Sequence, residues 1–483
     1  MKIATCALRL ATKTLIVLGA ALMTTGCTLG PDFQRPPEPA AQRYSAAPSP
    51  AASAPAAGLE QRYPQGRAPA RWWTLYGSPT LDRWVDEALA HNRDLQANVA
   101  TLVAAREQLR AQTGSNELPT INGQLEYARQ RAIGLPDFGP PTVLYQLYAG
   151  TVQVNYDLDL FGGIRRTNEA SRAELEVQEQ ELAAARQTLA ANIVIAAIRS
   201  AALKREIETQ IRIEELARRR AQLVERRYEL GGTAHREVLD AARSSHDAAA
   251  ALPGLRAQLD RTRHALAVLL GRLPQDAPND LNFDDLTLPA EVPLTVPSEL
   301  VHTRPDILAA EASLHAATAR VGVASANLFP KLSLTGSFGS ESFTRAGFLH
   351  APTAVWGASG SLLQPLFAGG ALLAQKRAAS AELDAAYRRY ESTVLKAFGN
   401  VGDALRTLAE DARALAENTE AEDDAERLFR ETTRRHETGS ENIIAVMASE
   451  QAFLQERIAR IAGQDARLID TANLFQAIGA PGS

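Results

Sequence analysis

Cysteine is almost missing from this chain: 483 residues hold two, Cys6 and Cys27. A fold stapled by disulfides is thereby set aside. Aromatic residues make up only 6% although hydrophobic residues reach 45%, much of it alanine, a mix that suits helix-on-helix seams better than one thick core. An excess of one charge is also missing. The net charge is −5 with both signs interspersed, which offers no nucleic-acid surface. Beyond the first thirty residues no run reaches the ~18 apolar residues of a transmembrane helix. A membrane crossing must then be made with strands. Catalytic patterns are missing too: there is no phosphate loop, no metal-spaced His pair and no Gly-x-Ser-x-Gly, and the eight His are scattered. Neither an enzyme nor a cofactor is indicated.

What is there begins with a targeting segment. Lys2, Arg9 and Lys13 precede a short apolar core, Thr14 to Met23, and then Thr24-Thr25-Gly26-Cys27. A small residue before Cys reads as a bacterial lipoprotein cleavage site, with Cys27 carrying acyl chains. An ordinary signal peptide with an incidental Cys is the alternative. Thr28, rather than Asp, fits outer-membrane retention.

The chain is organised around Ile164 to Leu230, a stretch with neither Gly nor Pro. Leu175, Leu182, Leu189, Ala196 and Leu203 recur every seven residues, and Leu216, Leu223 and Leu230 resume the repeat after a phase slip. A helix of about 67 residues is a rod of roughly 100 Å, which is a coiled-coil arm or a wall stave. Gly162-Gly163 and Gly231-Gly232 bracket it.

Helical periodicity also runs from Pro79 to Gln112. Two alternating strands follow, Leu118 to Arg129 and a second ending at Leu158, with a loop over Gly134 to Pro141. In the second, Val152, Val154, Tyr156 and Leu158 alternate with Thr151, Gln153, Asn155 and Asp157. After the rod, a return helix reaches Leu270, with Pro253 as a kink. Then the order repeats: helix to Ala326, strands from Pro330 and Thr353, a rod from Ala371 to Thr438 and a return from Asn442. Leu160-Phe161-Gly162-Gly163 answers Leu366-Phe367-Ala368-Gly369-Gly370, and Pro119 answers Pro330. This is one unit duplicated. The expected segments are a signal at 1–26, a Pro/Ala-rich tether at 27–70, a first repeat at 71–271, a linker at 272–297 and a second repeat at 298–483.

Four strands cannot close, since small barrels need about eight, and open edges cannot face lipid. The strands must pair with other copies. Three copies give about twelve strands, an even number as bacterial barrels have. The expected fold is mainly α with transmembrane β: a strand barrel continuous with a long helical cylinder.

Four blocks carry a family resemblance. They are Cys27-Thr28-Leu29-Gly30-Pro31-Asp32-Phe33-Gln34-Arg35-Pro36, Trp72-Trp73 with Asn92 and Asp94-Leu95, Tyr156-Asp157-Leu158-Asp159-Leu160-Phe161-Gly162-Gly163, and Val296-Pro297-Ser298-Glu299-Leu300 with Arg304-Pro305-Asp306-Ile307. With them the chain resembles the TolC/OprM/NodT family of outer-membrane factors. The resemblance implies a homotrimer with a twelve-stranded outer-membrane β-barrel and a periplasmic α-helical barrel. It also implies a periplasmic adaptor and an inner-membrane pump of the resistance-nodulation-division type as partners. The implied activity is passive exit of drugs or small toxic compounds; a type I secretion duct and a lipid-anchored scaffold without a pore are the alternatives.

By the same resemblance, Tyr228, Gly231, Gly232, Thr233, Leu239 and Asp240 fall at an adaptor-contacting tip. Arg435, His436, Gly439, Glu441 and Ile444 fall at the periplasmic gate. The family's inward Asp residues are replaced by Ala445 and Ala448, which leaves Glu441 or Glu450 to stand in. Thr151, Gln153, Asn155 and Asp157 are expected to face the barrel lumen.

Overall fold

The computed structural model describes residues 28–41, 43–44, 52–56, 60–133, 142–279, 281–348 and 354–480. The signal segment, Cys27 and the loop over 134–141 lie outside the described residues.

Helices α1 (Pro79–His91) and α2 (Arg93–Glu117) lead to strands β1 (Thr120–Ile133) and β2 (Thr142–Leu158). The rod α3 (Gly163–Glu229) and its return α4 (His235–Leu269) follow. After 3-10 turns and one helical turn come α5 (Pro305–Ala326), β3 (Lys331–Ser342), β4 (Ala354–Leu363), the second rod α6 (Ala371–Glu437) and its return α7 (Ile443–Ala477). The rods are both 67 residues long and the returns both 35. The second rod and the second return each start 208 positions after their counterparts, 371 against 163 and 443 against 235.

The long helical run expected from Pro79 is cut at Asn92. Its backbone is extended (φ −60°, ψ 128°), and its side-chain oxygen accepts from Leu95 N at 2.9 Å, so it closes α1 and caps α2. Pro253, by contrast, sits inside α4, which runs on through it. The ring removes one backbone hydrogen bond without ending a helix held by its apolar seam. Among the described residues one helix, α3, is long and apolar enough to cross a membrane by length and composition, but half of its most apolar stretch is buried within the chain, as in a core helix.

The chain divides into two units. The first, Met1–Pro36, Leu102–Gln178 and Ala310–Tyr390, holds an antiparallel sheet in the order β1-β2-β3-β4. At the entry to α3, Asp159 accepts from the backbone N of Ile164 (3.0 Å) and Arg165 (2.8 Å), filling two of the donors a helix start leaves open. The buried Arg166 bonds Asp32 (2.5 Å) and Glu169 (2.8 Å), and Phe33 stacks on His315 at 4.4 Å. Segment 28–36 is thus strapped onto the start of α3 and the middle of α5.

The second unit, Pro37–Thr101, Glu179–Ala309 and Glu391–Ser483, is a bundle of rods and returns. Its seams are small and interdigitated. Ile213, Leu216 and Ala217 of α3 meet Ala248 of α4 and Phe453 and Leu454 of α7, while Leu203 and Ile207 meet Leu252 and Leu259. Arg304 of the Arg-Pro-Asp-Ile block donates to the Ala477 carbonyl at 2.6 Å, which satisfies an orphan acceptor at the end of α7. The tether reading is corrected for its described end. Arg62 and Gln65 bridge to Glu291 and Leu294 of the linker, and Gln61 and Tyr63 are buried. The backbone is extended there, but it is docked.

In the same unit Arg467 is 1% exposed and donates to Ser53 Oγ at 2.7 Å. Nearby, burial, and then Asp470, raise the Asp411 carboxyl to about 7. An unfolded Asp ionises near 4. The folded chain therefore holds this proton more tightly than the unfolded chain does. The stability it contributes is complete below about pH 4 and is lost as pH rises through about 7. We expect Asp411→Asn to flatten the fall in melting temperature between pH 5 and pH 8 measured in detergent. An unchanged slope would assign the pH dependence to other groups.

Candidate functional site

The sheet sorts its side chains by face. Partners opposite each other in an antiparallel pair share a face. Val152 lies opposite Gly123 and Phe338, Val154 opposite Ile121 and Gly336, and Tyr156 opposite Leu334. Phe338 in turn lies opposite Trp356, and Leu332 opposite Leu362. This face is apolar and open: Ile121, Leu125, Phe338, Trp356 and Leu362 are exposed in the single chain. A water-facing sheet would not carry five such side chains on one surface.

Thr151, Gln153, Asn155 and Asp157 all lie on the opposite face, level with Gly339, Ser337, Thr335 and Ser333. The row is tied laterally. Ser333 Oγ donates to Asp157 at 2.6 Å, and Thr335 Oγ1 and Gln153 Nε2 both donate to Asn155 Oδ1, at 3.1 and 3.3 Å. Ser359 and Ser361 of β4 continue it. Sequence reading misses those two, because β4 alternates Gly, Ala and Ser with little apolar contrast.

The two rod-to-return turns share one geometry. At the first, Gly231 has φ +74°, and Gly232 N donates to the Arg227 carbonyl at 2.8 Å. At the second, Gly439 has φ +77°, and Ser440 N donates to the Arg435 carbonyl at 2.9 Å. Both are Schellman ends, which need a left-handed residue just past the helix. A Cβ at either glycine would meet open space, so only backbone strain opposes substitution. Gly439→Ala should cost about 1–2 kcal/mol locally. Amide exchange at Ser440 should rise about tenfold or more, measured by hydrogen–deuterium exchange; an unchanged rate would contradict the turn geometry.

Around the first turn, Tyr228 and Leu239 are exposed, and Tyr228 lies 5.3 Å from the His235 ring. Thr233 bonds Glu237, and Asp240 pairs with Arg236 at 3.7 Å. Around the second, His436 Nδ1 donates to the Glu441 carbonyl at 2.9 Å, and Arg435 pairs with the Glu441 carboxylate at 3.6 Å. Ile444 is only half-buried but turns inward, against Val224, Val238 and Ala241. The exposed apolar side chain here is its neighbour Ile443, one helical step away. Glu450 accepts from Arg212 of α3 at 2.8 Å, a link between residues 238 apart that no local pattern announces. Cys27 lies outside the described residues.

The comparisons agree with this architecture. Residues 84–272 and 296–480 match the family model described as outer membrane efflux protein. The outer membrane protein OprJ of Pseudomonas aeruginosa is 31% identical over 475 residues, covering 95% of this chain and 94% of that protein. The pyoverdine export outer membrane protein OpmQ of Pseudomonas putida is 31% identical over 421 residues, covering 85% of this chain and 87% of OpmQ. Among solved structures, the outer-membrane channel OprN is similar with a TM-score of 0.82 and 27% identity, over 94% of this chain and 99% of OprN. Duplicated rods, a two-faced sheet and full-length likeness converge: the chain belongs to the outer membrane efflux protein family and is an outer-membrane component of an efflux system.

Proposed function

We propose that this chain assembles as a homotrimer and serves as the passive exit duct of a tripartite efflux system. A periplasmic adaptor docks at its tip, an inner-membrane pump of the resistance-nodulation-division type drives it, and drugs or small toxic compounds leave through it. The observation that carries this reading is the two-faced, four-stranded sheet with unpaired edges, which a lipid setting tolerates only when closed against other copies. Thr151, Gln153, Asn155 and Asp157 then line the lumen, where a hydrogen-bonded polar row contacts water.

Tyr228, Gly231, Gly232, Thr233, Leu239 and Asp240 are assigned to adaptor contact. The exposure of Tyr228 and Leu239 beside a glycine turn supports this, since exposed apolar side chains at a helical turn suit a helical-hairpin partner. Arg435, His436, Gly439, Glu441 and Ile444 are assigned to the gate. The Arg435–Glu441 and Arg212–Glu450 pairs are the charged links that take the place of an acidic ring at Ala445 and Ala448. Ile443 supplies the outward apolar group. Cys27 is assigned to lipidation.

The test is accumulation of a fluorescent amphipathic dye in cells lacking the chain and in cells with it restored. We expect accumulation to rise severalfold on deletion and to return to baseline on restoration. Unchanged accumulation, with the protein folded in the outer membrane and its pump present, would overturn the duct.

A further inference from the structure

The sheet sorts charge as well as polarity. Among the described residues its three acids all lie on the polar face: Glu126 and Glu341 flank Ala149, and Asp157 continues the row of Thr151, Gln153 and Asn155. The apolar face carries no acid there. It carries two arginines, both at one end. Along β1 the positions on this face are Ile121, Gly123, Leu125 and Tyr127, and then Arg129 and Arg131.

The change of character falls at an aromatic pair. Tyr127 faces Tyr148 with ring centroids 5.0 Å apart, and tyrosines on a lipid-facing sheet collect where hydrocarbon gives way to headgroups. Arg129 and Arg131 are the next two positions past that pair. They stand at the end of the sheet away from the rods, because α2 and α3 join its other end. An arginine costs far less at that depth than in the middle of the apolar band.

The connection between β3 and β4 brings a third arginine to the same face. β3 ends at Ser342, opposite Tyr148, and the single helical turn Arg345–Phe348 follows. That turn lies on the apolar face. A Cβ added to Gly150, which faces Leu125, would meet the Phe348 ring at 2.8 Å, and Ser340 Oγ donates to the Phe348 carbonyl at 2.8 Å. Arg129, Arg131 and Arg345 are all exposed, and among the described residues no carboxylate reaches them. Exposed arginines on the helices differ: Arg110 pairs with Glu107 at 2.5 Å and Arg430 with Glu426 at 2.6 Å.

We infer that Arg129 and Arg131, with Arg345 on the same face, form a seat for the phosphate groups of an anionic lipid of the outer leaflet. Two residues of strand rise set the Cα atoms of Arg129 and Arg131 about 6.7 Å apart, so both guanidinium groups can reach one phosphate. Guanidinium is the side-chain cation best matched to phosphate, binding it through paired N–H donors. The occupant is a lipid because the cations continue directly into an apolar face, where acyl chains cover Leu125 and Tyr127 while the headgroup meets the arginines. Free phosphate has no use for that apolar floor. The inference rests on the assignment of the apolar face to lipid made above, and adds what that face recognises.

The test titrates the full chain, extracted in detergent and freed of co-purifying lipid, with diphosphoryl lipid A, and reads binding by microscale thermophoresis. Arg129→Gln/Arg131→Gln should bind at least about tenfold more weakly than the unaltered chain, and Arg345→Gln a few-fold more weakly. Lys331→Gln removes a cation from the polar face at the other end of the sheet and should leave binding unchanged. Melting temperatures without lipid should be equal, since all these positions are exposed. Equal binding by the unaltered chain and the double variant would overturn the seat. Displacement of the lipid by inorganic phosphate at the same phosphate concentration would assign the arginines to a free anion and overturn the lipid. The assignment of faces is checked separately with Leu125→Cys, which should resist a water-soluble maleimide in intact membranes; rapid labelling would overturn that assignment itself.

Discussion

Val154→Arg is expected to remove the protein from the outer membrane, whereas Gln153→Arg, one position away, leaves it there. The two side chains are adjacent in β2 and point to opposite faces. Val154 belongs to the exposed apolar face with Ile121 opposite it, and Gln153 belongs to the polar row with Ser337 opposite it. On a lipid-facing surface an arginine costs about 2–4 kcal/mol near the bilayer midplane, while a lumen-facing arginine stays in water. The measurement is the amount of folded protein in outer-membrane fractions. Equal loss from both variants, or from neither, would contradict the assignment of faces. It would also favour a scaffold that never enters lipid.

The second large effect is expected at Trp72. It is 1% exposed, stacks on Phe475 of α7 at 5.0 Å and meets Trp73 and Tyr76 edge-on at 6.0 and 6.3 Å. Tyr76 fastens the same turn by donating to the Leu468 carbonyl at 2.9 Å. Trp72→Ala should cost about 3–5 kcal/mol, because the lost apolar burial is joined by a cavity the rigid helices cannot fill. Thermal unfolding in detergent should show the loss, and Trp72→Phe should recover most of it. A melting temperature unchanged in Trp72→Ala would mean that the Trp-Trp block does not hold the end of α7.

Much of the fold is legible in the sequence because its signals are long and local. Sixty-seven residues of helical period, with a single phase slip, between two glycine pairs leave little freedom, and α3 runs from Gly163 to Glu229 against an expected Ile164 to Leu230. The polar row of β2 is legible for a similar reason, since strict alternation assigns a face without knowledge of any partner. What is hidden depends on partners far along the chain or on small angular differences. Asn92 sits in an unbroken helical pattern, and only its capping bond to Leu95 reveals the break. Arg212 and Glu450 look like solvated charges until α3 and α7 lie side by side. Ile443 and Ile444 differ by about 100° around a helix, which is enough to exchange an outward role for an inward one. The docking of Gln61 to Gln65 was hidden because a Pro- and Ala-rich composition carries no period to read.

The most direct measurement of the central claim is the mass and shape of the particle extracted from outer membranes in detergent. Three chains are expected, forming a twelve-stranded barrel with Gln153 and Asn155 on its inner wall and a long helical cylinder attached. A monomer, or a dimer without a closed barrel, would leave the edges of β1 and β4 unpaired in lipid and would contradict it.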